Sequence, residues 1–154
     1  MEVTVIDVGC AKWGEAESIP YLVERFQPRL LIGLDPAATN DCYFVAGTSV
    51  ITFGVAAWTH VGEVGYIESG TRSHISMEGR QVGCFDLGRL VEQFGPKVIL
   101  KIDAEGSEYP LLRDIIERKL DEMIQLALVE WHDPDDGRMD IIRRLSCPYE
   151  EWTL

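Results

Sequence analysis

Apolar residues along this chain follow two rhythms. Short, largely apolar runs occupy residues 3–8, 30–34, 50–57, 98–102 and 126–132. Runs of this length, rich in β-branched residues and bounded by turn formers, predict strands buried on both faces. Between them the apolar positions recur every three or four residues, as in Ile19, Leu22, Val23 and Phe26. The same stripe returns in Leu87, Leu90, Val91 and Phe94, in Leu111, Leu112, Ile115, Ile116 and Leu120, and in Ile141, Ile142 and Leu145. Each stripe predicts an amphipathic helix. Asp86 is placed to cap the second helix and Gly95-Pro96 to close it. Pro110 belongs near the start of the third, and Asp135 or Asp136 begins the last. The first helix has two readings. Ser18 caps it with Pro20 in the first turn, or it starts nearer Gly14 and Pro20 kinks it.

Other stretches carry neither rhythm. Residues 37–49 show little helical periodicity, so a crossover helix there is expected to be shortened or replaced by loop. Residues 59–69, with Gly62 and Gly65, read as a short hairpin or meander, and residues 71–83 as a polar loop beside the cleft. In that loop His74 reads as an ordinary surface histidine. Residues 148–154 leave room for one more short strand.

Strands separated mostly by helices predict an α/β protein with a doubly wound, mainly parallel sheet, in one domain spanning 1–154. Right-handed crossovers favour the order 3-2-1-4-5. The first and fourth strands then lie side by side where the winding reverses, and open α/β sheets bind ligands in that crevice.

The polar residues that end the strands give this crevice its chemistry. The first strand runs through Asp7 into Gly9-Cys10-Ala11-Lys12-Trp13-Gly14, a turn of small residues that lets a ligand approach the backbone. The second ends at Asp35-Pro36, where an acid suits ribose hydroxyls or starts a turn before Pro36; the glycine turn nearby favours the first. The fourth ends in Asp103, Glu105 and Glu108 around Gly106. Burying unpaired carboxylates is costly, so these acids belong at a crevice. They would equally suit the N-terminus of the following helix. His132 ends the fifth strand, and its ordinary pKa of about 6.5 makes it the natural base near neutrality.

Charge and cysteine content narrow the partners. With 14 basic and 26 acidic side chains the net charge is -12. This repels phosphate backbones and anionic surfaces, so neither nucleic acid nor membrane is an expected partner. No apolar run nears the roughly 20 residues of a membrane span. The opening residues lack a signal-peptide pattern, so the expected location is the cytoplasm. Cys10, Cys42, Cys84 and Cys147 are scattered, and neither they nor His60, His74 and His132 show zinc-ligand spacing. Asp103 and Glu105 are of the oxygen type that holds a hard cation, but no metal is expected.

Lys101-Ile102-Asp103-Ala104-Glu105-Gly106-Ser107-Glu108 resembles the K-I-D-x-E-G-x-E signature of the FkbM-type methyltransferases. Val5-Ile6-Asp7-Val8-Gly9 is similar to that family's first motif, although Gly14 stands one place late. Leu34-Asp35-Pro36 resembles its E-P step, with Asp for Glu. Ala56-Ala57-Trp58 and Val129-Glu130-Trp131-His132 resemble its segment before the hairpin and its V-E-x-H strand ending. The resemblance runs from Val3 to about His132. It implies a Rossmann-like class I methyltransferase fold, shortened at the C-terminus, with S-adenosyl-L-methionine as cofactor. It further implies O-methylation of a hydroxyl on a small molecule or glycan. Asp7, Gly9, Cys10, Gly14, Asp35, Pro36, Ala56, Ala57 and Asp103 would then bind the cofactor, and Asp103, Glu105 and His132 would be catalytic. A homodimer is compatible with this reading. The alternative is a non-catalytic S-adenosylmethionine-binding module. A nicotinamide-binding protein ranks last, because the glycine turn lacks the middle glycine of G-x-G-x-x-G.

Overall fold

The computed structural model describes residues 3–11, 17–70, 72–132 and 137–153. The chain begins with β1 (Thr4–Val8), α1 (Ser18–Phe26) and β2 (Leu30–Leu34), followed by a hairpin of β3 (Asp41–Val45) and β4 (Thr48–Phe53). Next come four short strands: β5 (Ala56–Trp58), β6 (Gly62–Ile67), β7 (His74–Ile75) and β8 (Arg80–Asp86). The rest alternates as α2 (Leu87–Phe94), β9 (Val98–Ile102), α3 (Glu108–Glu117), β10 (Ile124–Val129), α4 (Arg138–Arg144) and β11 (Tyr149–Glu151).

Seven strands form one sheet in the order β11-β10-β9-β1-β2-β4-β3. All its neighbours pair in parallel except β3, which runs antiparallel to β4 at the edge. The run β4-β2-β1-β9-β10 is the expected 3-2-1-4-5 order. The carboxyl ends of β1 and β9 are therefore in contact, with Val8 level with Ile102. Helices cover both faces. Ile6, Val8, Leu100 and Ile102 pack under Leu87, Val91, Leu112, Ile115 and Ile141 of α2, α3 and α4. Val5, Leu31, Ile99 and Leu128 pack on the other side against Leu22 and Val23 of α1 and against Trp152. Burying a large aliphatic side chain is worth about 1.5–3 kcal/mol, so these two layers hold the sheet rigid.

The structure corrects several expectations. Residues 37–49 contain β3 and the start of β4, joined by Ala46 and Gly47 at φ 48° and 88°. Two successive positive φ values are the signature of a tight hairpin whose twist suits the strands. The run 50–57 is broken after Phe53, and β5 belongs to a second sheet of order β5-β8-β6-β7. The break falls at Gly54, whose amide donates to Asn40 Oδ1 at 2.8 Å and where a Cβ would lie 2.7 Å from the Ala38 carbonyl oxygen. The polar stretch 71–83 holds β7 and part of β8, in which Val82 and Cys84 point inward on alternate positions. Val64, Tyr66, Val82 and Cys84 give this second sheet a small core of its own.

At the helix starts, α1 begins at Ser18 with Pro20 in its first turn. Ser18 is not its cap: the hydroxyl donates instead to Asp7 Oδ2 at 2.5 Å. Asp86 does cap α2, accepting from the Arg89 amide at 3.0 Å. The described part of α4 is preceded by Gly137, while Asp135 and Asp136 lie outside the described residues. The last strand, β11, adds to β10 in parallel. Among the described residues no helix is long and apolar enough to cross a membrane.

Candidate functional site

A cleft of about 270 Å³ opens at the carboxyl ends of β1, β2 and β9. Its floor comes from the main sheet and its roof from Ala56, Ala57, Tyr66, His74 and Ile75 of the second. At its centre β1 and β9 touch. Gly9 has φ +80°, and a Cβ there would lie 1.7 Å from the Asp103 carbonyl oxygen. Only glycine fits this position, and its presence lets the two strand ends close on each other.

Lys101 ties this junction together. It stands level with Asp7 on the neighbouring strand, and both are fully buried. Its Nζ lies 3.0 Å from Asp7 Oδ1 and 3.3 Å from Asp103 Oδ2. It also donates to the carbonyl oxygens of Val8 at 3.3 Å and Gly9 at 2.9 Å. Burial by itself would lower the lysine pKa, but Asp7 and Asp103 outweigh it and hold the pKa above the ordinary value. A charged lysine thus fixes the turn after β1 and the carboxylate after β9 relative to each other.

Asp35, after β2, lines the cleft and is 8% exposed. It accepts from the Ala37 amide at 2.8 Å and the Ala11 amide at 3.2 Å. Burial raises its pKa although both amides oppose this. A carboxylate has about four lone-pair positions, so capacity remains for two further donors.

On the far side, His132 sits among four carboxylates. Its Nδ1 donates to Glu108 Oε1 at 2.6 Å. Its Nε2 lies 3.6 Å from Asp103, 3.5 Å from Glu105 and 3.9 Å from Glu130. Glu108 is fully buried at the start of α3, and the same oxygen accepts from the Ala104 amide at 3.3 Å. The hydrogen bond to Glu108 pushes the imidazole pKa up to about 9 against the effect of burial, with Glu105 and Asp103 adding to it. Free His132 is therefore an imidazolium at neutral pH. This corrects the expectation that it is a base there: the ordinary histidine pKa does not apply beside a buried carboxylate. Glu130 is shifted upward as well, by burial first and then by Asp103.

Of the residues expected to bind a cofactor, Gly9, Asp35, Pro36, Ala56, Ala57 and Asp103 line one cleft, together with Glu105 and His132. Asp7 does not. It lies beneath the floor, engaged by Lys101 and Ser18. Cys10 is directed into a neighbouring hollow that shares Ala11 and Ser18 with the cleft. Burial first, and then Asp7, raises its thiol pKa far above the ordinary range, so it is inert as a nucleophile. Gly14 lies outside the described residues. His74, read as an ordinary loop histidine, is at the cleft rim on β7, its Nδ1 2.9 Å from the Arg72 carbonyl oxygen. Two further residues belong to the site. Lys101 was visible only as a charge inside an apolar run. Glu130 stands two residues before His132, a spacing that brings both to one cluster.

Comparison with protein-family models, curated proteins and solved structures found no match to this chain.

Proposed function

We propose that the protein is an S-adenosylmethionine-dependent methyltransferase of Rossmann-like fold, acting on a hydroxyl of a small molecule or glycan. The resemblance of residues 101–108 to the FkbM-type signature supports this reading. The observation that carries it is the meeting of three strand ends in one cleft: the Gly9 turn, the Asp35 carboxylate and Asp103. Asp35, buried and with lone pairs still open, suits a ribose diol. The closely packed Gly9 turn suits the amino-acid end of the cofactor, and Ala56 and Ala57 leave room for a flat ring.

The bound cofactor supplies an electrophilic methyl group. This chain's part is to hold the acceptor oxygen in line with it, which is where most of the rate gain in such displacements arises. The acceptor must also lose a proton. His132 is unsuited to receive it, since the Glu108 hydrogen bond raises its pKa to about 9 and the imidazolium has no free lone pair at neutral pH. Asp103 is held by Lys101. Glu105 and Glu130 carry neither constraint, and Glu105, just before the Gly106 turn, takes the role of base.

Calorimetry with S-adenosylmethionine, S-adenosylhomocysteine and NAD tests the reading, with both sulfur compounds expected to bind more tightly. Asp35→Ala loses two charge-assisted hydrogen bonds and should weaken their binding by about 1.5–3 kcal/mol, roughly ten- to 150-fold. Unchanged affinity in that variant removes Asp35 from the site. Binding without methyl transfer to any hydroxyl compound assigns a binding module instead.

A further inference from the structure

We propose that Asp103, Glu130 and His132 form a site for one divalent cation of the magnesium–manganese class. Their ligand atoms all lie within 4.8 Å of one another, and the three side chains are partly exposed toward the cleft. Two carboxylates and an imidazole form a mixed oxygen–nitrogen donor set, the kind that takes Mn²⁺ or its harder neighbours rather than thiophilic metals.

Three features set this group apart from a solvated patch of acids. The first is the aim of the histidine. Nδ1 is anchored at 2.6 Å on Glu108, which is fully buried and comes from a different element. The ring is thereby fixed with Nε2 facing Asp103 and Glu130, the carboxylate–histidine–metal arrangement that orients ligating imidazoles. Glu108 Oε2, behind the ring, is itself buried with no hydrogen-bond partner among the described residues.

The second is spacing. Nε2 lies 3.6 Å from Asp103 Oδ1 and 3.9 Å from Glu130 Oε1, too far for hydrogen bonds. Ligands at about 2.1 Å in a tetrahedron or octahedron stand about 3–3.5 Å apart, so small carboxylate rotations complete the set.

The third is charge. Lys101 is shared between Asp7 at 3.0 Å and Asp103 at 3.3 Å, so its single charge offsets only one of the two. Asp103, Glu105, Glu108 and Glu130 remain around one imidazole. Four carboxylates exceed the one positive charge that imidazole can carry, and a divalent cation lowers the surplus. Spacing along the chain hides the site, because its ligands follow two different strands.

With three protein ligands the cation keeps open positions toward the cleft, where an oxygen of a bound molecule can enter. The inference stands on this geometry and is independent of methyl transfer. A chain that binds Mn²⁺ but never S-adenosylmethionine keeps the first reading and loses the second.

The test is titration of the full chain with Mn²⁺, following free metal by electron paramagnetic resonance. One saturable site per chain is expected. Glu130→Gln and His132→Gln should each weaken it at least about tenfold, whereas Glu122→Gln, on an exposed surface position, should leave it unchanged. Absence of a saturable site, or equal affinity in wild type and Glu130→Gln, overturns the proposal. A second measurement needs no variant. Substoichiometric Mn²⁺ should broaden the His132 imidazole signals before those of His60 and His74, and indiscriminate broadening of all three counts against the site.

Discussion

Replacing Lys101 with Met measures how far the cleft floor depends on one buried charge. Lys101 and Asp7 are both fully buried, with Nζ 3.0 Å from Asp7 Oδ1. Methionine restores most of the aliphatic stem, so lost packing contributes little. It leaves Asp7 charged, with the Ser18 hydroxyl as its remaining side-chain hydrogen-bond donor among the described residues. It also takes the donor from the Val8 and Gly9 carbonyl oxygens. Stranding one partner of a buried ion pair costs about 3–5 kcal/mol, and that sets the expected loss. At this chain length each kcal/mol lowers the melting temperature by about 2–4 °C, so a drop of roughly 6–20 °C should appear. The Asp7→Asn/Lys101→Met double variant removes both charges and should recover at least about 2 kcal/mol of the single variant's loss. Urea unfolding at pH 7, followed by far-ultraviolet circular dichroism, gives all the required numbers. A Lys101→Met cost below about 1 kcal/mol, or strict additivity of the two substitutions, would refute the view that this pair holds the site together.

Two further outcomes follow from the structure. Asp86 caps α2 and accepts from Arg118 at 2.8 Å; although burial opposes it, the arginine and the Arg89 amide hold its pKa below the ordinary carboxylate value. Its stabilising contribution is therefore complete above an unfolded-state pKa of about 3.9 and is lost as pH falls through the lower folded value. Unfolding midpoints measured from pH 6 to 2.5 should decline at the acid end, with a shallower slope in Asp86→Asn. Gly9→Ala and Gly106→Ala separate contact from conformation, since both glycines have φ +80° but only Gly9 faces a neighbour, the Asp103 carbonyl. Gly106→Ala should cost about 1–2 kcal/mol from conformation alone and Gly9→Ala clearly more; equal losses in denaturant titrations would contradict the close approach of β1 and β9.

The central strands were legible because their physics is local. Leu30–Leu34, and Val98–Ile102 apart from Lys101, are apolar since helices cover both faces of the sheet there, and such runs admit few arrangements. β3 was not legible, because Asp41–Val45 is an exposed edge strand with Phe44 78% exposed, and burial imposes no pattern on it. β8 does alternate, but Gly83 and the polar residues before it mask the rhythm. The cleft was found from the acids and glycines at strand ends, which the topology alone brings together. The state of His132 was beyond reach for a different reason. Its pKa is set by Glu108, 24 residues away, and that contact exists only once α3 has docked beside β10.

Most of the cleft roof rests on a different core from the floor, Ala57 being the roof residue that packs with the main one. Gly9, Lys101 and Asp103 belong to strand ends embedded in the main sheet, whereas Tyr66 and Ile75 pack in the small cluster around Val64 and Val82. Substitutions in the floor must satisfy folding before they can alter recognition. Those in β6 and β7 answer mainly to their own few neighbours. The shape of the roof is therefore free to drift while the groups beneath it stay in place, and a change in what the cleft can accommodate is most easily acquired there.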